Sequence, residues 1–198
     1  MHIKEEISNT IVIEKSKFIC YLKPAFSENE YKEYLKEIKK KHYDATHVCT
    51  GLILKNIKRS NDDGEPSGTA GMPILNVLEK NKLENTCALV VRYFGGIKLG
   101  AGGLIRAYSN ATVEALNKAI IVEDVSYPKY QIKVSYEIAN KLDNFLNKNT
   151  TYLNKEYGEQ VVINYCLNES VDNSKIIEIT KGIEPALIGE EIVEKVIK

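Results

Sequence analysis

Two segments of the sequence concentrate residue types that can bind ligands. The first, residues 61–71, holds three carboxylates, two hydroxyls and three glycines in eleven positions. Carboxylate and hydroxyl oxygens are ligands for Mg²⁺ or Ca²⁺, but such residues also satisfy their own backbone in turn-rich loops. The segment lacks the alternating ligands and the terminal glutamate of an EF-hand loop. We therefore assign it no metal ion and predict a polar loop that presents Asp62, Asp63, Glu65, Ser67 and Thr69.

The second segment, residues 95–103, has five glycines in nine positions and precedes a helical pattern of small and apolar residues. Its spacing fits neither the Walker A loop nor the GxGxxG fingerprint. Glycine-rich backbone at the start of a helix exposes N–H groups where the helix carries a partial positive charge. Close packing of the helix on a sheet is the alternative explanation of the glycines. The predicted anion or nucleic-acid site consists of Arg92, Lys98, Gly100, Gly102, Gly103 and Arg106.

Histidine and cysteine residues provide no second chemical site. His47 and Cys49 lie two apart on a predicted strand, so their side chains share a face at a spacing of about 6.5 Å. This distance is too long for a hydrogen bond between a nucleophile and its base, and we assign no catalytic residue. We place His47 on the same surface as the polar loop. The four cysteines stand singly in apolar sequence, which predicts reduced core residues.

Hydrophobic periodicity predicts the elements that position both segments. A strand region is followed by a helix that begins at the capping box of Ser27 and Glu30 and continues to about His42. Residues 56–71 show turn chemistry and predict a long loop. The remaining predicted elements of this half are strands at 11–22, 46–54 and 86–93, a short helix at 72–78 and a helix from Leu104. The strand at 86–93 is predicted to be central in its sheet.

The pattern restarts after Pro128. Alternating residues from Tyr130, a helical spacing from Ile138 and a hairpin at Gly158 are followed by a second helix and a last strand. The order βαββαβ is that of a ferredoxin-like unit. We therefore predict an α+β protein with domains at residues 1–125 and 128–198.

Composition limits the classes of partner. Lys and Arg number 27, Asp and Glu number 27, and the net charge is zero, which counts against strong non-specific binding of nucleic acid. Binding of an anion therefore needs a local cluster of basic residues. The longest apolar runs are far shorter than the roughly 20 residues of a membrane span, and the N-terminus does not read as a signal peptide. We expect a cytoplasmic protein with no membrane contact.

Residues 62–73 and the block from Val90 to Tyr108 look like the signature blocks of the YigZ/IMPACT family, with support from residues 14–19 and 45–49. The resemblance implies an N-terminal domain similar to the second domain of ribosomal protein S5, followed by a ferredoxin-like domain. It also implies a link to translational regulation. It brings no catalytic residue and no cofactor to this chain.

These observations favour a non-enzymatic regulator that binds RNA, the ribosome or a translation factor through the loops of the N-terminal domain. Two alternatives stay open. One is a small-molecule enzyme or a protein that binds a phosphate ligand. The other is a protein-interaction module that uses the acidic second domain.

Overall fold

A computed structural model of the protein describes residues 1–197. The fold is α+β, and its packing divides the chain into two compact units. The first unit comprises residues 1–123 together with Val196 and Ile197, and the second comprises residues 124–195. The boundary falls inside strand β7 (Ile121–Val134), whereas the sequence pattern places it between residues 125 and 128.

Six strands belong to the first unit in full, and five of them form one antiparallel sheet. They are β1 (His2–Ile3), β2 (Ile7–Ile13), β3 (Ser16–Pro24), β4 (His47–Leu54), β5 (Ile57–Asn61) and β6 (Thr86–Tyr93). The sheet order is β2-β3-β6-β4-β5, so β6 is central as its apolar run predicts. The short β1 pairs with Ile121 and Val122.

Three helices cover the two faces of this sheet: α1 (Glu28–Lys41), α2 (Gly71–Lys80) and α3 (Gly100–Leu116). Strand residues alternate between the faces. Phe18, Cys20 and Leu22 of β3 pack in the core that contains α2 and α3, whereas Tyr21 packs in the core that contains α1. The Ser27 half of the predicted capping box is present, because the Ser27 hydroxyl accepts a hydrogen bond from the Glu30 N–H at 3.2 Å. The Glu30 carboxylate accepts from the N–H of Phe26, one residue before the cap, at 2.9 Å.

Two boundaries differ from the sequence prediction. Residues 57–61 form strand β5 and not part of a long loop. The sequence hides this strand because only Ile57 is partly buried and the next four residues are exposed, as suits the edge of a sheet. Helix α3 begins at Gly100 and not at Leu104. Glycine disfavours helix by about 1 kcal/mol relative to alanine, so its first turn resembles a loop in the sequence.

After β7, the second unit consists of two helices and three strands. They are α4 (Tyr136–Asn149), β8 (Thr150–Tyr157), β9 (Val161–Leu167), α5 (Ser174–Ile179) and β10 (Ala186–Val196), in this order along the chain. Its strands are arranged in the order β8-β9-β7-β10. The predicted hairpin is confirmed, since β8 and β9 pair in antiparallel fashion from Tyr157 opposite Val161. Leu142, Leu146 and Tyr165 lie at the centre of its core.

Two further features concern the cysteines and the apolar character of the helices. Cys20, Cys49, Cys87 and Cys166 are all buried, which confirms their prediction as core residues, and each has a free thiol. Across residues 1–197, none of the helices combines the length and the apolar character that crossing a bilayer requires.

Candidate functional site

A pocket of about 360 Å³ lies in the first unit where the start of β4, the end of β6 and the start of α3 meet. It brings together residues from both segments that the sequence singles out. The polar loop contributes Glu65 and Pro66, and the glycine-rich segment contributes residues 98–101. The full lining is Thr46, His47, Glu65, Pro66, Arg92, Phe94, Lys98, Leu99, Gly100, Ala101 and Leu104.

A buried carboxylate, Glu65, forms the polar end of this pocket. Its Oε1 accepts a hydrogen bond from Nη1 of Arg92 at 2.6 Å and another from the hydroxyl of Tyr108 at 2.8 Å. The side chains of Glu65 and Arg92 are only 4% and 6% exposed, so the ion pair is desolvated. The Arg92 guanidinium carbon also lies 5.5 Å from the Phe18 ring centroid and 5.4 Å from that of Phe94. Arg92 is therefore held between a carboxylate and two aromatic rings.

His47 is oriented by the backbone of the polar loop. Its Nδ1 lies 2.8 Å from the carbonyl oxygen of Asp63. A carbonyl accepts only, so Nδ1–H donates, and in the tautomer that carries this single proton Nε2 is the acceptor. Nε2 lies 3.9 Å from Oε1 of Glu65. The free nitrogen of His47 and the buried carboxylate thus stand side by side on the pocket wall.

Cys49 is not available as a nucleophile. Its sulfur lies 3.0 Å from the carbonyl oxygen of Asp62 and 3.3 Å from the hydroxyl of Tyr108. Burial raises the pKa of the Cys49 thiol to about 12, so the thiol stays protonated at neutral pH. Burial likewise raises the pKa of Tyr108, strengthened by the neighbouring Cys49 and Glu65. The geometry therefore does not pair Cys49 with His47 as a nucleophile and its base.

The two aspartates of the polar loop bind protein groups. The Asp62 carboxylate accepts hydrogen bonds from the N–H groups of Gly68, Ala70 and Gly71, at 2.8, 3.0 and 2.7 Å. Burial opposes ionisation of Asp62, but these three bonds prevail and its pKa is lowered. The Asp63 carboxylate accepts from the Val48 N–H and from the ammonium group of Lys39, both at 2.7 Å. The two carboxylates hold the loop and the start of α2 in place.

The glycine-rich segment combines one tight contact with an uncapped helix start. A Cβ on Gly95 would stand 2.0 Å from the carbonyl carbon of Lys15, so only glycine fits there. Gly100 has a φ of +68°, which glycine adopts freely. No side chain at the N-cap residue Leu99 bonds to the first N–H groups of α3. These N–H groups therefore stay available at the pocket end of the helix.

The structure divides the predicted site residues into three groups. His47, Glu65, Arg92, Lys98 and Gly100 line the pocket. Gly102, Gly103 and Arg106 lie on the first two turns of α3 outside the pocket lining, and Asp62, Asp63, Ser67 and Thr69 form the polar loop.

Phe94, Leu99 and Tyr108 were missed by sequence reasoning. Phe94 follows the central strand directly and is 46% exposed, and an aromatic residue next to a glycine pair is the only signal that the sequence offers for it. Tyr108 falls within the helix that the sequence predicts from Leu104, and nothing near it in the sequence indicates a polar role. Its hydrogen bond to Glu65 joins residues 43 positions apart and has no local signature.

Comparisons with known proteins agree on one family. The model of the Impact N-terminal domain matches residues 14–116. The chain is 43% identical to IMPACT family member YvyE of Bacillus subtilis, over 95% of this chain and 90% of that protein. It is 29% identical to IMPACT family member YigZ of Escherichia coli, over 90% and 92% of the two chains. A solved structure described as the crystal structure of a hypothetical protein aligns over 97% of this chain and 95% of that chain, with a TM-score of 0.61 and 25% identity.

Proposed function

The chain belongs to the IMPACT family, and from this premise we propose that it is a translation-associated regulator that binds RNA or a ribosomal surface through the first unit. The proposal includes a cytoplasmic location and a role without catalysis. It also includes two fold assignments. The first unit is similar to the second domain of ribosomal protein S5, and the second is ferredoxin-like, which its strand order of β8-β9-β7-β10 supports.

The observation that carries the binding proposal is the position of the free basic groups. Lys98 lines the pocket and is exposed, and Arg106 lies one turn and a half into α3. Within residues 1–197, neither side chain forms an ion pair with a carboxylate. The uncapped N–H groups of α3 lie between them in the sequence. Two cations beside a helix N-terminus favour a phosphate group.

Arg92 was predicted as a third phosphate contact, but its charge is already balanced by Glu65. The proposal therefore counts two phosphate contacts, from Lys98 and Arg106. Each contact to single-stranded RNA contributes a slope of about −0.7 to the dependence of log affinity on log salt concentration, so the expected slope is about −1.4.

The test measures binding of the full chain to short single-stranded RNA and to purified ribosomes between 50 and 200 mM salt. Lys98→Ala and Arg106→Ala are each expected to weaken binding to all RNA sequences and to flatten the slope by about 0.7. Lys40→Ala is the matched control, because Lys40 is exposed on α1, which covers the other face of the sheet. Parent-like binding by both pocket-side variants at every salt concentration would show that this surface does not contact RNA.

A further inference from the structure

The N-terminus of α3 forms the anion-accepting end of the pocket. Gly100 and Ala101, the first residues of this helix of 17 residues, line the pocket together with Lys98. The Arg106 guanidinium lies over the same turn, because its Nη1 is 3.5 Å from the position of a Cβ on Gly102. A phosphate at this end of the pocket meets free N–H groups and the Lys98 ammonium, and Arg106, outside the pocket lining, adds positive charge beside the same turn.

Phe94 forms an exposed aromatic surface on the wall of the same pocket. Its side chain is 46% exposed, although it stands against the buried Arg92 guanidinium at 5.4 Å. Leu99, Leu104 and Pro66 supply apolar walls around it. The volume of about 360 Å³ falls in the range of small-ligand sites. An aromatic ring at the mouth of an apolar pocket is the arrangement on which unstacked bases bind.

The buried end of the pocket holds hydrogen-bonding groups that the protein does not use. Glu65 is 8% exposed, and within residues 1–197 no group donates a hydrogen bond to its Oε2. Among the same described residues, Nε of Arg92 is a buried donor without a hydrogen-bond partner. His47, whose Nδ1–H donates to the Asp63 carbonyl, presents Nε2 as a second acceptor, 3.9 Å from Oε1 of Glu65. Acceptors from two side chains therefore face a ligand at this end.

We propose that the pocket binds a single guanine nucleotide, with the base against Phe94 and the phosphate at the N-terminus of α3. Among the four RNA bases, guanine alone carries two neighbouring donors, N1–H and the 2-amino group, on its pairing edge. Glu65 and His47 supply the acceptors for these donors. The inference rests on the proposed function and deepens it, because it names the part of an RNA that occupies the site.

The test measures equilibrium binding of the full chain to GMP, AMP and UMP at low salt. GMP is expected to bind at least about 10-fold more tightly than UMP, since a good pair of base contacts discriminates by about 5- to 150-fold. Phe94→Ala is expected to weaken GMP binding by about 5-fold or more through loss of stacking. Tyr43→Ala is the matched control, because Tyr43 is an aromatic residue that is 87% exposed and outside the pocket lining.

Glu65→Gln tests whether Glu65 distinguishes guanine from the other bases. Thermal unfolding of this variant is measured first, because the residue is buried. If it folds, GMP loses its advantage over AMP. Phe94→Ala keeps the proposal testable if Glu65→Gln does not fold, since Phe94 is half-exposed. Binding of GMP is then compared with binding of two RNA pentanucleotides. One carries a 5′-phosphorylated guanosine at its end, and the other carries guanosine in the middle. The tightest of the three ligands identifies whether the pocket binds a free nucleotide, an RNA end or an internal base.

The proposal is overturned if GMP does not bind at millimolar concentration, if GMP and UMP bind equally, or if Phe94→Ala binds GMP like the parent protein. Its failure is distinct from failure of the proposed function. RNA or ribosome binding that depends on Lys98 while GMP does not bind would reject the nucleotide pocket and retain the RNA-binding surface. Absence of binding to GMP, RNA and ribosomes would reject both.

Discussion

Truncation of Glu65 to alanine is expected to lower the free energy of unfolding by about 3–5 kcal/mol, the usual loss when one partner of a buried ion pair is removed. At the observed separation of 2.6 Å from Arg92 Nη1, the Coulomb attraction is about 6 kcal/mol for an effective dielectric constant of about 20. Desolvation of the two charges offsets part of it. The truncation also leaves the Tyr108 hydroxyl without its acceptor.

The assay is urea unfolding of the full chain followed by circular dichroism, with hydrogen exchange of the Val90 and Val91 amides as a report from the first unit alone. Glu79→Ala is the matched control. Glu79 pairs with Lys58 at 2.8 Å, but the two side chains are 35% and 60% exposed. Exposed pairs of this kind contribute about 0.2–1 kcal/mol. The difference between the two truncations therefore reports the buried ion pair together with the hydrogen bond from Tyr108.

A double-mutant cycle separates the ion pair from the loss of packing. Arg92→Met combined with Glu65→Ala removes both charges, so we expect the double variant to be more stable than the sum of the single effects predicts, by about 2 kcal/mol or more. Equal losses in Glu65→Ala and Glu79→Ala would refute the reasoning. So would single effects that add within about 0.5 kcal/mol, because independent sites behave in that way.

Three further variants test the two loops and the start of α3. Asp62→Asn is expected to cost about 1–2 kcal/mol at pH 7 through loss of charge at the start of α2. The native pKa of Asp62 is lowered, so its contribution to the free energy of unfolding is complete above the ordinary pKa of 3.8 and is lost as pH falls through the native pKa. Urea titrations below pH 3.8 should therefore show the stabilities of the parent and the variant converging. Gly95→Ala is expected to cost about 3 kcal/mol or more in thermal unfolding, because its Cβ would overlap the Lys15 backbone. Gly102→Ala should keep or raise stability by up to about 1 kcal/mol, since its Cβ meets only Arg106 at 3.5 Å.

Elements with a strong local signal were predicted well from the sequence. Helix α1 has both a capping box and an amphipathic face, and β6 is a run of eight residues of which seven are buried. Strand β5 was missed because its stability comes from pairing with β4 and not from its own composition. The first turn of α3 was missed because glycine propensity opposes a helix that packing imposes.

The site was predicted less completely because it depends on contacts between distant residues. His47 and Arg92 come together only through the pairing of β4 with β6, which places them opposite each other. The sequence assigned Arg92 to an anion site because it precedes the glycine-rich segment. The structure places residue 92 on the face of β6 that packs against α3, where burial of a charge demands a counter-charge. Glu65 supplies that charge from 27 positions away.

The anion-binding surface that we propose at the start of α3 is compatible with a net charge of zero, because the acidic residues near the pocket bind groups of the protein itself. Asp62 accepts three backbone N–H groups, Asp63 binds Lys39, and Glu65 binds Arg92. Each negative charge of the polar loop is thereby balanced by protein groups before a ligand approaches. The exposed cations at Lys98 and Arg106 keep no such counter-charge within residues 1–197. The distribution of ion pairs, and not the net charge of zero, therefore determines the sign of the field that a ligand meets at the start of α3.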